Sequence, residues 1–172
     1  MSSLACAGTV DSLQVSYQKG RYSIQLSATV DAGTTEVFHV ITDYDQLHRL
    51  SDSFVESRLL DAVNDEKKRS LLVTNTCILF YCFRSRMVED ITEHPDHEVI
   101  STVDVKESDY RFGRNHWILT PLSGNRTRLQ FSCEKEPAFW IPPVIGPWLL
   151  KHRMRAEALE TMRRIETLAR DV

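Results

Sequence analysis

Residues 148–172 read WLLKHRMRAEALETMRRIETLARDV and contain no proline or glycine, so they predict one long C-terminal helix. At ~1.5 Å per residue, about 24 helical residues extend roughly 36 Å, enough to cross a whole sheet. The apolar stripe predicted along this helix consists of Trp148, Leu149, Ala156, Leu159, Met162, Ile165 and Leu168. The charged residues left for its opposite side are Lys151, Arg153, Glu157, Glu160, Arg164 and Glu166.

The region before this helix is predicted to form six consecutive strands separated by turn signals. Short connections between consecutive strands favour an antiparallel meander. A sheet of this size tends to curl and needs a cover for its concave face, which the long helix can supply. The predicted strands are residues 53–62, 67–77, 81–92, 97–106, 110–121 and 125–136.

The N-terminal part combines strand and helix patterns. Apolar and polar residues alternate from Ser12 to Val30, with a turn signal at Lys19-Gly20, which indicates two strands or one strand with an extension. Helical spacing then predicts a short helix ending near Asp43, followed by a second one over residues 44–50. We therefore predict an α+β fold in which a curved antiparallel sheet of about seven strands wraps the long helix. Two short helices follow the first strand, and a cavity for an apolar ligand remains between sheet and helix.

Composition limits the class of protein. The chain has 172 residues, a length that fits one domain over residues 11–172 after a tail at 1–10. Its net charge is −3. The absence of a basic excess argues against nucleic-acid binding. No apolar run reaches the ~18 residues of a membrane span. Residues 1–10 have no basic segment followed by a long apolar one, as a signal peptide would. We expect a cytoplasmic protein, in part at the membrane surface, or a periplasmic one if a signal sequence has been removed.

The four cysteines do not match the paired spacing of a zinc site. Two alternatives stay open for them. They are free thiols in a reducing compartment, or Cys77 and Cys82 form a local disulfide across a four-residue hairpin tip.

Three segments resemble START-like proteins of the SRPBCC superfamily. Residues 28–47, ATVDAGTTEVFHVITDYDQL, resemble the opening of these proteins, and residues 112–119, FGRNHWIL, resemble one of their strands. Residues 139–147, FWIPPVIGP, resemble a bacterial subgroup named for polyketide cyclase/dehydrase and lipid transport, to which coenzyme Q-binding START proteins are related. The resemblance extends over residues 20–170 and implies the helix-grip fold. It leaves function open, since the superfamily includes carriers, receptors, cyclases and chaperone cofactors.

The sequence contains no specific catalytic motif, and we expect neither a cofactor nor a metal. The two histidines of residues 94–97 flank a proline and indicate a polar turn between strands. Along the strand at residues 110–121, Arg114 and His116 share one face while Asn115 and Trp117 share the other. If either face lines a cavity, a polar group there could orient the head of a ligand. The candidates for that role are Arg86, Arg114 and His116.

The helix-grip resemblance implies that residues 77–82, 107–110 and 139–148 gather at one end, as the mouth of the cavity. A hairpin tip reading ILFY is unusually apolar, and the 139–148 segment brings further aromatic residues beside it. These aromatic residues either close the cavity or form an exposed apolar patch. The basic residues Lys151, Arg153 and Arg155 directly follow the 139–148 segment, which suits an anionic lipid surface. The predicted ligand-binding residues of cavity and mouth are Ile78, Leu79, Phe80, Tyr81, Met87, Trp117, Phe131, Phe139, Trp140, Ile141, Trp148, Leu149, His152, Ala156 and Leu159.

These observations favour a non-enzymatic protein that binds or transports a lipid, quinone or polyketide-like molecule and docks transiently on anionic membranes. One alternative is an aromatase/cyclase-type enzyme, for which arginine, histidine or carboxylate groups should cluster at the deep end of the cavity. The other is a protein–protein interaction module that uses the apolar mouth.

Overall fold

The structure is a computed structural model that describes residues 8–62, 64–78, 80–141 and 146–172, without the side chains of residues 78, 146 and 147. Its elements, in chain order, are β1 (Thr9–Gln18), β2 (Arg21–Val30), α1 (Thr34–Thr42), a 3-10 helix (Leu47–Leu50), β3 (Phe54–Ala62), β4 (Lys67–Ile78), β5 (Tyr81–His94), β6 (Glu98–Val103), β7 (Tyr110–Leu122), β8 (Arg126–Pro137) and α2 (Gly146–Arg170).

One antiparallel sheet of eight strands contains every strand described, in the order β1-β2-β8-β7-β6-β5-β4-β3. The chain passes from β2 to the far edge of the sheet through α1 and the 3-10 helix, and then returns as a six-strand meander. Helix α2 contacts β1 and β2 near one edge and β4 near the other, which requires the sheet to curve around it. The predicted α+β architecture is confirmed. The sheet has eight strands where about seven are predicted, because residues 9–30 form two strands. Both short helices follow the second of these strands.

The β1–β2 hairpin shows why the predicted turn at Lys19-Gly20 is favourable. Both residues have positive φ, 49° and 88°, a conformation that glycine adopts without a side-chain clash and that matches the twist of a two-residue hairpin. Strand β1 begins at Thr9, two residues before the predicted start of the domain at residue 11. It is held there because the Gly8 amide donates to both carboxylate oxygens of Glu166 at 2.8 Å.

The main core lies between the two helices and strands β2, β7 and β8. Helix α1 contributes Val37, Phe38, Val40 and Ile41, all buried, as its amphipathic spacing predicts. Helix α2 contributes Met162, Ile165 and Ala169. The predicted stripe is wrong at Trp148, Ala156 and Leu159, which are exposed. The inward face runs instead through Leu150, Met154, Ala158, Met162, Ile165 and Ala169.

Candidate functional site: a cavity between sheet and helix

A cavity of about 270 Å³ lies between the concave face of the sheet and helix α2. Its volume is close to the lower end of the ~300–1,000 Å³ range of small-molecule sites. Side chains from seven strands, β2 to β8, from the 3-10 helix and from the inner face of α2 line it. The sheet can leave such a space because α2 contacts it mainly near its edges and does not fill the middle.

The walls of this cavity are largely apolar. Trp117 on β7 and Phe131 on β8 are directly paired across the two strands, and their ring centroids are 4.1 Å apart. Leu26, Met87 and Ile91 add aliphatic surface from β2 and β5. Desolvation of an apolar ligand against these walls would supply affinity at about 25 cal/mol per Å² buried, before ordering costs.

A polar group interrupts the apolar wall in the middle of strands β5, β6 and β7. Glu89 Oε1 accepts hydrogen bonds from Ser101 Oγ at 2.9 Å and from Asn115 Nδ2 at 2.5 Å. Asn115 Nδ2 also donates to Ser101 Oγ at 3.0 Å. All three residues line the cavity and are less than 9 % exposed. Among the described residues, Asn115 Oδ1 is a buried side-chain oxygen without a hydrogen-bond partner.

Burial and the neighbouring groups shift the pKa of Glu89 in opposite directions. Burial raises the pKa of Glu89 above its ordinary value, against the opposing effects of Lys135, Ser101 and Asn115. Lys135 lines the same cavity. Burial would lower the pKa of Lys135, but the nearby Cys133 and Glu89 outweigh this effect and raise it. A carboxyl group with a perturbed pKa in an apolar cavity is a typical feature of functional sites.

A second buried carboxyl group lies further along β5. Glu93 accepts a hydrogen bond from Tyr44 Oη at 2.6 Å and forms an ion pair with Lys68 Nζ at 2.8 Å. Burial, followed by the bond to Glu93, raises the pKa of Tyr44. Tyr44 lines the cavity, but its hydroxyl is already paired with Glu93. We therefore regard this group as structural.

Helix α2 brings polar side chains to the cavity as well. Arg153 and Glu157, predicted for the opposite side of the helix, both line it. Glu157 accepts a hydrogen bond from Ser51 Oγ at 2.5 Å, and Arg153 contacts Ser53 Oγ at 3.4 Å. These contacts tie the helix to the residues around the 3-10 helix.

The described residues at the three predicted mouth segments lie near one another at one end. The Phe139 ring lies 5.2 Å from the ring of Phe83, one residue beyond the predicted hairpin segment, and 6.3 Å from the ring of Tyr110 at the start of β7. The aromatic residues of this end divide between the two orientations that the sequence left open. Phe139 and Ile141 turn inward and line the cavity, whereas Phe80, Trp140 and Trp148 are 94 %, 68 % and 74 % exposed.

At the end of the β4–β5 hairpin, Cys77 and Cys82 are directly paired and form a disulfide with 4.0 Å between their Cα atoms. This is one of the two alternatives that the sequence left open. Among the described cysteines, Cys133 is free, and burial raises the pKa of its thiol. Its side chain belongs to the main core.

The structure locates the predicted site residues in three groups. Lining the cavity are Met87, Trp117, Phe131, Phe139 and Ile141. Beside the mouth, Tyr81 and Leu149 pack in an apolar cluster with Tyr22 and Leu150. Leu79 and the side chain of Ile78 lie outside the described residues. On the exposed surface lie Phe80, Trp140, Trp148, His152, Ala156 and Leu159.

The three candidates for orienting a ligand, Arg86, Arg114 and His116, lie on the opposite face of the sheet. Arg86 and Arg114 are exposed, and His116 Nε2 pairs with Glu98 Oε1 at 2.5 Å. Strand alternation puts Asn115 and Trp117 inside instead. The sequence analysis missed Glu89, although strand alternation could have indicated it. Met87, Glu89 and Ile91 share one face of β5, so the Glu89 carboxyl group lies between two core residues.

Within the described residues, no cluster of three or more histidine, cysteine, aspartate or glutamate side chains could hold a metal ion. None of the helices in the same part of the chain is long and apolar enough to cross a membrane.

The chain matches a family model described as "Polyketide cyclase / dehydrase and lipid transport" over residues 21–170. No curated protein sequence matches it significantly.

Three solved structures illustrate the fold. The Zhui aromatase/cyclase from Streptomyces sp. R1128 is 11% identical, with 87% of this chain and 94% of that chain covered and a TM-score of 0.70. A START superfamily protein from Mycobacterium smegmatis is 15% identical, with 85% and 98% covered and a TM-score of 0.64. A STAR-related lipid transfer protein from Xanthomonas axonopodis is 13% identical, with 93% and 99% covered and a TM-score of 0.63. At these identities the likeness shows the START-like fold and leaves function open.

Proposed function

Because the chain belongs to the polyketide cyclase / dehydrase and lipid transport family, we propose that it binds and carries a hydrophobic small molecule in the cavity under α2. The family and its structural neighbours support a hydrophobic-ligand-binding or lipid-transfer module, or a polyketide cyclase. Of these functions, we propose binding and transport rather than cyclisation. The observation behind it is an apolar cavity of about 270 Å³ with Phe139 and Ile141 lining it beside the mouth.

The first prediction concerns a substitution that fills this cavity. Ala158 on α2 lines it, whereas Ala156 on the same helix is exposed. Ala158→Phe places a ring in the space that a ligand needs, so we expect affinity for the uncharged fluorescent probe N-phenyl-1-naphthylamine to fall about tenfold or more. Ala156→Phe is the matched control and should bind like the unmodified chain. Equal affinity in both variants, each shown to be folded by circular dichroism, would contradict binding in this cavity.

Transfer also requires contact with a membrane, and the mouth has suitable chemistry for it. Trp140 and Trp148 are largely exposed on either side of the start of α2. The first turn of that helix has no acidic residue, and Lys151, Arg153 and Arg155 precede Glu157. Exposed tryptophans beside basic residues and the positive end of a helix dipole fit an anionic lipid surface.

The second prediction tests this contact by vesicle co-sedimentation. Replacing Trp140 and Trp148 together with alanine should reduce binding to phosphatidylglycerol-containing vesicles by about tenfold, since both rings lose their interfacial contact. Val55→Ala removes another exposed apolar side chain on β3 and should have no effect. Binding of the double variant at the level of the unmodified chain would refute the docking surface.

A cyclase remains the second candidate, because Glu89 is a cavity carboxyl group whose pKa is raised and which can give or take a proton. The two candidates differ in what happens to the bound molecule. Mass spectrometry of a poly-β-ketone probe after incubation would show the mass of the intact probe for a carrier. It would show loss of water for a cyclase, and Glu89→Gln should abolish that loss.

A further inference from the structure

The polar group in the middle of the sheet contains hydrogen-bond acceptors that the protein does not use. Glu89 Oε1 is occupied by Ser101 and Asn115. Among the described residues, both hydrogen bonds to the Glu89 carboxyl group reach Oε1, and Asn115 Oδ1 is buried without a hydrogen-bond partner. A buried acceptor without a donor costs free energy, so an atom from outside the chain is expected to complete this group.

The position of the group suits the inner end of a bound molecule. Glu89 lies seven residues along β5 from Cys82 at the hairpin tip, which is about 23 Å at ~3.3 Å per residue. Aromatic and aliphatic side chains, including Trp117 and Met87, line the same cavity. An apolar molecule that enters at the mouth would therefore bring its leading end to Glu89.

The charges around the cavity identify the chemistry of that end. The described lining residues include two acidic side chains, Glu89 and Glu157, and two basic ones, Lys135 and Arg153. When all four side chains are ionised their charges cancel, so the net charge of the cavity then favours neither a carboxylate nor an ammonium group. A hydroxyl group can donate a hydrogen bond to a free acceptor while remaining uncharged.

We propose that Glu89 and Asn115 form a subsite for the hydroxyl group of an uncharged hydrophobic alcohol or phenol, which donates a hydrogen bond to this pair. This inference rests on the proposed function, because it specifies the ligand class of the same cavity. The network fixes Glu89 in place through Ser101 and Asn115, so little ordering is needed on binding.

The test uses two probes, 2-naphthol, whose hydroxyl group is a donor, and 2-methoxynaphthalene, in which a methyl group replaces the hydroxyl hydrogen. Binding is followed by the fluorescence of Trp117 in a Trp140→Phe, Trp148→Phe background, which leaves a single tryptophan, located in the cavity. We expect 2-naphthol to bind about tenfold more tightly than 2-methoxynaphthalene, because its hydroxyl group adds one hydrogen bond to a free acceptor. Glu89→Ala should bring the ratio of affinities close to one, and Glu89→Gln, which retains an oxygen acceptor, should keep part of the preference. Arg114→Gln, beside Asn115 but on the outer face, is the control.

The outcomes separate the two proposals. If both probes bind equally, or if Glu89→Ala leaves the ratio unchanged, the hydroxyl subsite is wrong while the carrier function stands. If neither probe binds, the proposed function itself fails. Using a ratio of two similar probes removes the general effect of a variant on stability or cavity shape.

Discussion

Ile165→Ala should lower the free energy of unfolding by about 2–5 kcal/mol. Ile165 is 0% exposed and lies where α2 packs on the main core. Removing its side chain leaves a cavity that close-packed neighbours can fill only in part. Urea denaturation followed by circular dichroism measures the change through the midpoint and slope.

Leu159→Ala is the matched control on the same helix. Leu159 belongs to the stripe predicted from sequence, but it is 37% exposed in the structure. A surface substitution of this kind typically changes stability by no more than ~0.5 kcal/mol. Similar losses in Ile165→Ala and Leu159→Ala would mean that the helix presents a different face to the sheet.

Asn115→Ala is the second substitution with a large expected effect, a loss of about 1–3 kcal/mol at neutral pH. The Asn115 side chain donates to Glu89 Oε1 and Ser101 Oγ, and its bond to Glu89 stabilises the charged carboxylate. Without it, a buried carboxyl group that already resists ionisation loses one of its two hydrogen-bond donors. The measurement is urea denaturation of both proteins across the pH range.

The loss should depend on pH, with a sign fixed by the raised pKa of folded Glu89. Below the ordinary value of 4.5, both folded and unfolded chains hold the proton and the carboxyl group adds nothing to the pH dependence. As pH rises, Glu89 ionises first in the unfolded chain, which favours unfolding. The free energy of unfolding therefore falls until pH has passed the raised pKa of folded Glu89. Asn115→Ala raises that folded pKa further, so the difference between variant and unmodified chain should widen as pH rises through the folded pKa of the unmodified chain.

Glu89→Gln supplies the control because it removes the charge and leaves an acceptor for both donors. In the Glu89→Gln background, Asn115→Ala should show a loss that no longer varies with pH over this range. A pH-dependent loss that persists in this background would assign the effect to another titrating group.

Several parts of the fold could be read from the sequence because they depend on local periodicity. Alternation predicts β2, whose inner residues Tyr22, Ile24 and Leu26 are buried as expected. The ends of β3, β4, β7 and β8 fall within one residue of prediction, since turn residues separate them. Strand β6 is shorter than predicted because residues 104–109 bond back to β5, where the amides of Asp104 and Asp109 donate to the carbonyls of Val88 and Arg86.

The candidate site was only partly predictable. The pairing of Asn115 with Trp117 on one strand face follows from alternation, but whether that face points to cavity or solvent depends on how the sheet curves. The Phe139–Trp148 linker has no regular period. Its division into inward Phe139 and Ile141 and outward Trp140 and Trp148 had no local signal.

Local sequence patterns are enough to predict a long helix over a meander of antiparallel strands, because proline, glycine and apolar spacing act over a few residues. The face of α2 that meets the sheet depends instead on long-range packing, since a broad apolar stripe is compatible with several rotations about the helix axis. The tertiary structure also decides that Glu89, Ser101 and Asn115 come together, because their hydrogen bonds join residues 12 to 26 positions apart. Such contacts form only when three strands pair in one register, and no local pattern encodes that register.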